Sequence, residues 1–120
     1  MIHHVSVEVS DLERSGRFYD ALLGALGWRR HIEEEDRIGW GIVRPVFFAS
    51  ARRPPAPGGG HVCFSGNGIS AVKAAWEGGV AAGGTDDGAP AGRPGYGPSF
   101  YSAYLLDPDG NRVQVAVGND

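Results

Sequence analysis

The feature that most constrains this chain is that it is one unit written twice. A shift of 57 residues lays His4-Val5-Ser6-Val7 on His61-Val62-Cys63-Phe64, Leu12 on Ile69, Tyr19-Asp20 on Trp76-Glu77, Leu23 on Val80 and Gly27 on Gly84. Residue identity is sparse, but the classes agree across strand, helix and stop, which marks an internal repeat. Equivalent residues of a duplicated unit occupy equivalent places, so whatever His4 does in the first copy, His61 is placed to do in the second.

Each copy reads as strand–helix–strand–strand–strand. From His3 to Val9 the residues alternate, with Val5, Val7 and Val9 on one face and His4, Ser6 and Glu8 on the other, a half-buried strand. Ser10 with Glu13 has capping-box spacing, and Leu12, Tyr19, Leu22, Leu23 and Leu26 follow at helical spacing up to Gly27. Trp28 to Glu34 and Arg37 to Val43 flank an acidic turn as a hairpin, and Pro45 to Ser50 reads as a third short strand. In the second copy His61 to Ser65 is a strand and Ile69 to Ala82 a helix, whose end Gly78 and Gly79 weaken. Thr85 to Ala89 is a short strand and Pro90 to Pro98 a Gly/Pro-rich loop. Ser99 to Leu106 and Asn111 to Val117 are strands joined by the turn Asp107-Pro108-Asp109-Gly110. The prediction is one α+β domain over residues 1–120, with unit one at 1–53, a Pro/Gly linker at 54–60 and unit two at 61–120.

The bulk numbers remove several classes. A net charge of −3 argues against a nucleic-acid surface built on bulk positive charge. No apolar run approaches the roughly 20 residues of a membrane span. One cysteine, Cys63, permits neither an intrachain disulfide nor a Cys-x-x-Cys zinc site. Met1 to Val5 shows no basic region followed by an apolar stretch, so a cytoplasmic location is expected.

The stretch Val9-Ser10-Asp11-Leu12-Glu13-Arg14-Ser15 with Phe18-Tyr19, and the closing Asp107-Pro108-Asp109-Gly110-Asn111, resemble the vicinal-oxygen-chelate superfamily of glyoxalases, bleomycin-resistance proteins and extradiol dioxygenases. The resemblance spans essentially the whole chain. Gly88-Ala89-Pro90 to Tyr96 with Phe100-Tyr101 looks like a subgroup of glyoxalase-like proteins. The resemblance implies two βαβββ units whose curved sheets enclose a cavity holding a divalent metal. It places the ligands on first and last strands, here His4, His61 and Gln114. Most metal-binding relatives carry Glu where Gln114 stands. The fourth position falls near Phe47 or Phe48, and no carboxylate occurs between Arg37 and Ala56.

Two imidazoles and a carboxylate make a facial site for iron, manganese, zinc or nickel, and an amide in place of the carboxylate is a weaker, neutral donor. The residues therefore leave two functions open. One is a metal-dependent lyase, isomerase or dioxygenase acting on a small oxygen-rich molecule. The other is a metal-free protein that binds or sequesters a small molecule. Glyoxalase I itself is disfavoured by the missing first-unit carboxylate. Pocket-lining candidates are Cys63, Arg93, Tyr96, Tyr101, Trp40 and Phe48, with Arg93 suited to an anionic group. Cys63 has no feature that lowers a thiol pKa. Glu8 shares the face of His4, His3 reads as structural or solvent-exposed, and His31 reads as solvated. Unprotected strand edges and the resemblance both point to a homodimer.

Overall fold

The computed structural model describes residues 1–118. Its elements follow as β1 (Val5–Glu8), α1 (Leu12–Gly24), β2 (Arg29–Glu33), β3 (Arg37–Gly41), β4 (Phe47–Ser50), β5 (Val62–Ser65), α2 (Ile69–Ala81), β6 (Thr85–Gly92), β7 (Tyr101–Leu106) and β8 (Arg112–Val117). They make two four-stranded sheets of identical order, β1-β4-β3-β2 and β5-β8-β7-β6. In each sheet the first strand runs parallel to the last, with Ser6 opposite Phe48 and Cys63 opposite Gln114. The remaining pairs are antiparallel. This is the α+β architecture of two βαβββ units that the repeat predicts.

Strand alternation and helix spacing send one apolar face of every element inward. Phe18, Tyr19, Leu22 and Leu23 of α1 are fully buried, in one core with Trp40, Phe47, Phe64, Val72, Leu105 and Val115. Burying each such side chain is worth about 1.5–3 kcal/mol. Gly78 and Gly79, which sequence propensity marks as a weak helix end, instead lie inside α2 at its close approach to α1. A methyl group on Gly78 would stand 3.3 Å from the Ala21 carbonyl oxygen, and one on Gly79 2.9 Å from Leu105 Cδ2. Packing here overrides propensity. Gly79→Val is expected to cost about 1–3 kcal/mol through overpacking, read as a lower denaturation midpoint; an unchanged midpoint would show that the contact has slack.

Two local expectations are corrected. The N-cap of α1 is Asp11, whose carboxylate accepts from the Arg14 N–H at 3.1 Å. Ser10 does not cap, and Glu13 pairs with Arg17 instead. The Ser10 hydroxyl is drawn to a charged acceptor elsewhere, donating to Asp109 at 2.6 Å. Strand β6 also runs on to Gly92, past the predicted loop start at Pro90. Ala91 and Gly92 pair with Ser102 and Tyr101, and an edge strand tolerates the proline.

The two motifs that carry the family resemblance meet each other. Asp109 accepts from the Ser10 N–H at 3.1 Å, from its hydroxyl, and from Arg14 Nη2 at 3.1 Å. Asp107 is buried and accepts from the Tyr19 hydroxyl at 2.7 Å, the Asp109 and Asn111 N–H groups at 2.9 Å each, and Asn111 Nδ2 at 2.9 Å. Asn111 Nδ2 also donates to the Glu8 carbonyl at 3.1 Å. The turn of unit two thus clamps the start of α1 in unit one.

Burial alone would raise the Asp109 carboxyl, but the Ser10 hydrogen bonds and the Arg14 charge outweigh it and hold the pKa below the ordinary carboxylate value. A carboxyl depressed in the folded state stabilises fully above its unfolded pKa of about 3.9, and that contribution is lost as pH falls through the folded value. Asp109→Asn is therefore expected to flatten the acid limb of stability against pH below about 4. Denaturant melts of both proteins at several acid pH values check this, and equal slopes would remove Asp109 as the cause.

Candidate functional site

The face of each sheet turned away from the core carries the polar residues. In the first sheet His4 leads into β1, and Ser6, Glu8, Phe48, Ser50 and Arg37 line a pocket of about 240 Å³ with Arg52 and Arg53. The His4 ring meets Phe48 edge-to-face, centroids 5.5 Å apart. Its Nδ1 lies 3.0 Å from Nδ1 of the neighbouring, exposed His3, one ring donating and the other accepting. Phe48 lies over Gly39, where a Cβ would meet the ring at 2.6 Å, and Arg37 stacks on it at 5.0 Å. Two cations of this face are answered locally. Arg37 pairs with Glu34 and Arg52 with Asp36, and Glu8 accepts from the Arg53 backbone N–H at 3.0 Å.

In the second sheet the outward face carries His61, Cys63, Gln114, Ser102, Tyr104 and Arg112. His61 Nε2 lies 3.0 Å from Gln114 Oε1, and Gln114 is 5% exposed. Cross-strand pairing sets Tyr104 opposite Gln114, and its ring lies 5.9 Å from His61. The guanidinium groups of Arg93 and Arg112 lie 5.2 and 4.5 Å from the Tyr104 centroid. Burial, helped by the neighbouring Tyr96 hydroxyl, raises the Tyr104 pKa. Burial also pushes the Cys63 thiol up, which disfavours the thiolate a nucleophile needs.

The predicted site residues separate into groups. His61 and Gln114 are in contact. His4 and His61 sit at equivalent positions, yet no described cavity is lined by both. His4 lines the first-sheet pocket and an apolar cleft of about 200 Å³ with Cys63, Trp28 and Phe64. His61 lines another cleft, of about 220 Å³, with Ser6, Val7, Asn111 and Arg112. The register resolves the fourth position: Phe48 stands where unit two has Gln114, while Phe47 is in the core.

Trp40 faces the core. It is 1% exposed, packs on Tyr19 and Phe47, and its Nε1 donates to Asp20 at 2.9 Å. Tyr101 packs against the core, in alternation with outward-facing Ser102 and Tyr104. Tyr96 is exposed and stacks on Phe100 at 5.5 Å. His31 is not simply solvated, because its Nε2 bonds the Gly41 and Ile42 carbonyls at 3.2 Å. Tyr104, Ser102 and Arg112 share the outward face of Gln114 and are candidate site residues that the sequence reading missed. Alternation counted back from Gln114 through the Asp107–Asn111 turn would have found them.

Family and structure comparisons agree with this fold. The model of the Glyoxalase/Bleomycin resistance protein/Dioxygenase superfamily matches residues 1–115. A glyoxalase/bleomycin resistance protein from Albidiferax ferrireducens T118 is 33% identical, with 98% of each chain covered and a TM-score of 0.86. A lactoylglutathione lyase from Agrobacterium tumefaciens shares the fold at 21% identity, covering 98% of this chain and 93% of its own, TM-score 0.70. A fosfomycin resistance protein from Mesorhizobium loti does so at 17% identity, covering 97% and 90%, TM-score 0.70. No curated protein matches the chain. No helix among the described residues is long and apolar enough to cross a membrane.

Proposed function

The chain belongs to the glyoxalase/bleomycin resistance protein/dioxygenase superfamily, and from that premise we propose that it binds a small oxygen-rich molecule on the polar faces of its sheets, without a resident metal. One observation carries this reading. The position of unit one that corresponds to Gln114 is filled by Phe48, whose ring closes on His4. Among the described residues no three His, Cys, Asp or Glu side chains converge. Within one chain the donors left are few and split: His61 with Gln114 on one face, and His4 on another, where Glu8, the one carboxylate donor lining that pocket, accepts from the Arg53 N–H. Such a set does not fit a hard or borderline divalent cation, which favours carboxylate oxygen or several imidazoles. An apolar wall with a few placed polar groups suits a bound organic molecule.

A second reading, the metal-dependent lyase, isomerase or dioxygenase, is favoured by the 3.0 Å approach of His61 Nε2 to Gln114 Oε1. Two ligands of one ion, each about 2.1 Å from it, stand about that far apart. His4 of a second copy would supply the third donor, and the ion would act as a Lewis acid toward neighbouring substrate oxygens. A homodimer serves both readings, because β1 and β5 each have one unpaired edge. Light scattering that returned the monomer mass at working concentration would count against it.

Titration of purified protein with iron, manganese, zinc and nickel at neutral pH separates the readings. No stoichiometric binding is expected. Stoichiometric binding lost in both His4→Ala and His61→Ala would replace the first reading by the second.

A further inference from the structure

Arg93 carries a positive charge that no carboxylate among the described residues answers. Its guanidinium is half-buried and held by neutral oxygens: Nε donates to Ser102 Oγ at 2.9 Å, and Nη2 to the Ala89 and Ser102 carbonyls at 3.1 and 3.3 Å. The Tyr104 ring supports it from the side. Gly88 makes room for this arrangement. Its φ is +151°, and a Cβ there would meet Tyr104 Cδ2 at 3.2 Å and Arg93 Nη2 at 3.3 Å. Arg112 approaches the same ring and is paired with Asp87 at 2.7 Å. Two cations therefore meet one ring, and only Arg112 has a carboxylate partner; an anion bound at Arg93 would answer the second charge. On the polar face of the first sheet, by contrast, Arg37 and Arg52 each pair with a carboxylate.

The position in the chain points the same way. The β6–β7 connection that begins at Arg93 runs to Phe100, whereas its unit-one counterpart spans only Glu34 to Asp36. The departure from the repeat places an unanswered guanidinium against Tyr104, whose ring also meets His61.

We propose that this face binds the anionic group of the small-molecule ligand, an oxyanion such as a carboxylate or a phosphate. Arg93 is its anchor and Tyr104 its side wall. A guanidinium fixed by neutral bonds through Nε and Nη2 is preorganised, and its Nη1 keeps two N–H donors for such a group. The inference rests on the small-molecule reading above and names the ligand's class.

The test is calorimetric titration, at constant ionic strength, of protein passed over a chelating resin. Malonate and inorganic phosphate are the oxyanion probes, and malonamide is the neutral match for malonate. Binding of at least one oxyanion is expected, with malonamide ten-fold weaker or silent; which oxyanion binds more tightly separates carboxylate from phospho ligands. Arg93→Gln is expected to weaken that binding about ten-fold, Arg93→Lys less, and exposed Arg29→Gln not at all. If Arg93→Gln melts early, Arg112→Gln on the same face is expected to weaken binding several-fold. Equal binding of malonamide, wild-type affinity in both glutamine variants, or no oxyanion binding by wild type would each overturn the inference. A neutral oxygenated compound that binds while the oxyanions do not would overturn it and leave the small-molecule reading standing. The metal titration fails or succeeds independently, because these measurements are made without metal.

Discussion

Asp107→Ala is expected to lower stability by about 3–5 kcal/mol. The carboxylate is 2% exposed and gathers four donors. Removing it leaves the Tyr19 hydroxyl, itself fully buried, without its partner. It also strips two backbone N–H groups of the turn that holds β7 to β8. Each buried donor left unsatisfied costs about 1–3 kcal/mol. Tyr19→Phe removes one of these bonds and keeps the ring in the core, so its cost is expected near 1 kcal/mol. Denaturant unfolding of the three proteins orders them. An Asp107→Ala midpoint no lower than that of Tyr19→Phe would show that the turn holds its shape without the carboxylate.

Gln114→Glu is expected to raise affinity for manganese or zinc by roughly ten- to hundred-fold at neutral pH. The substitution is nearly isosteric and puts a charged oxygen where a neutral one now lies 3.0 Å from His61 Nε2. Metal binding displaces protons from its ligands, so the gain is expected to fade as pH drops. His61→Ala added to Gln114→Glu is expected to cancel the gain. Metal titrations of the single and double variants read this directly. Affinity unchanged by Gln114→Glu would remove residue 114 from any metal position.

Much of this was legible in the sequence because repeat and alternation are both periodic signals. The repeat gave the two sheets one strand order, and alternation put His4 with Ser6 and His61 with Cys63 on outward faces. Alternation needs a phase as well as a period. Trp40 and Tyr101 were read as pocket walls because aromatic residues suit a pocket, and only their partners show that they face inward. The clefts were not legible for a different reason. A repeat relates two units to one another in kind but does not fix how they are set side by side, so equivalent histidines need not share a cavity. The motifs that carried the resemblance turn out to clamp turn against helix, which is why they identify a fold and say little about a reaction.

The clamp also has a consequence for how the chain reaches its fold. Ser10 and Asp109 are 99 residues apart, and β5 finds its parallel partner only in β8. Both closures wait for the end of the chain, and ordering long intervening segments before any such contact forms is entropically slow. During synthesis the first sheet has no second helix to cover α1, and the apolar face of β5 stands open until β8 arrives. Collapse should therefore come late and in one step, and a chain stalled before Asp107 would present sticky, unpaired strands rather than a half-built domain.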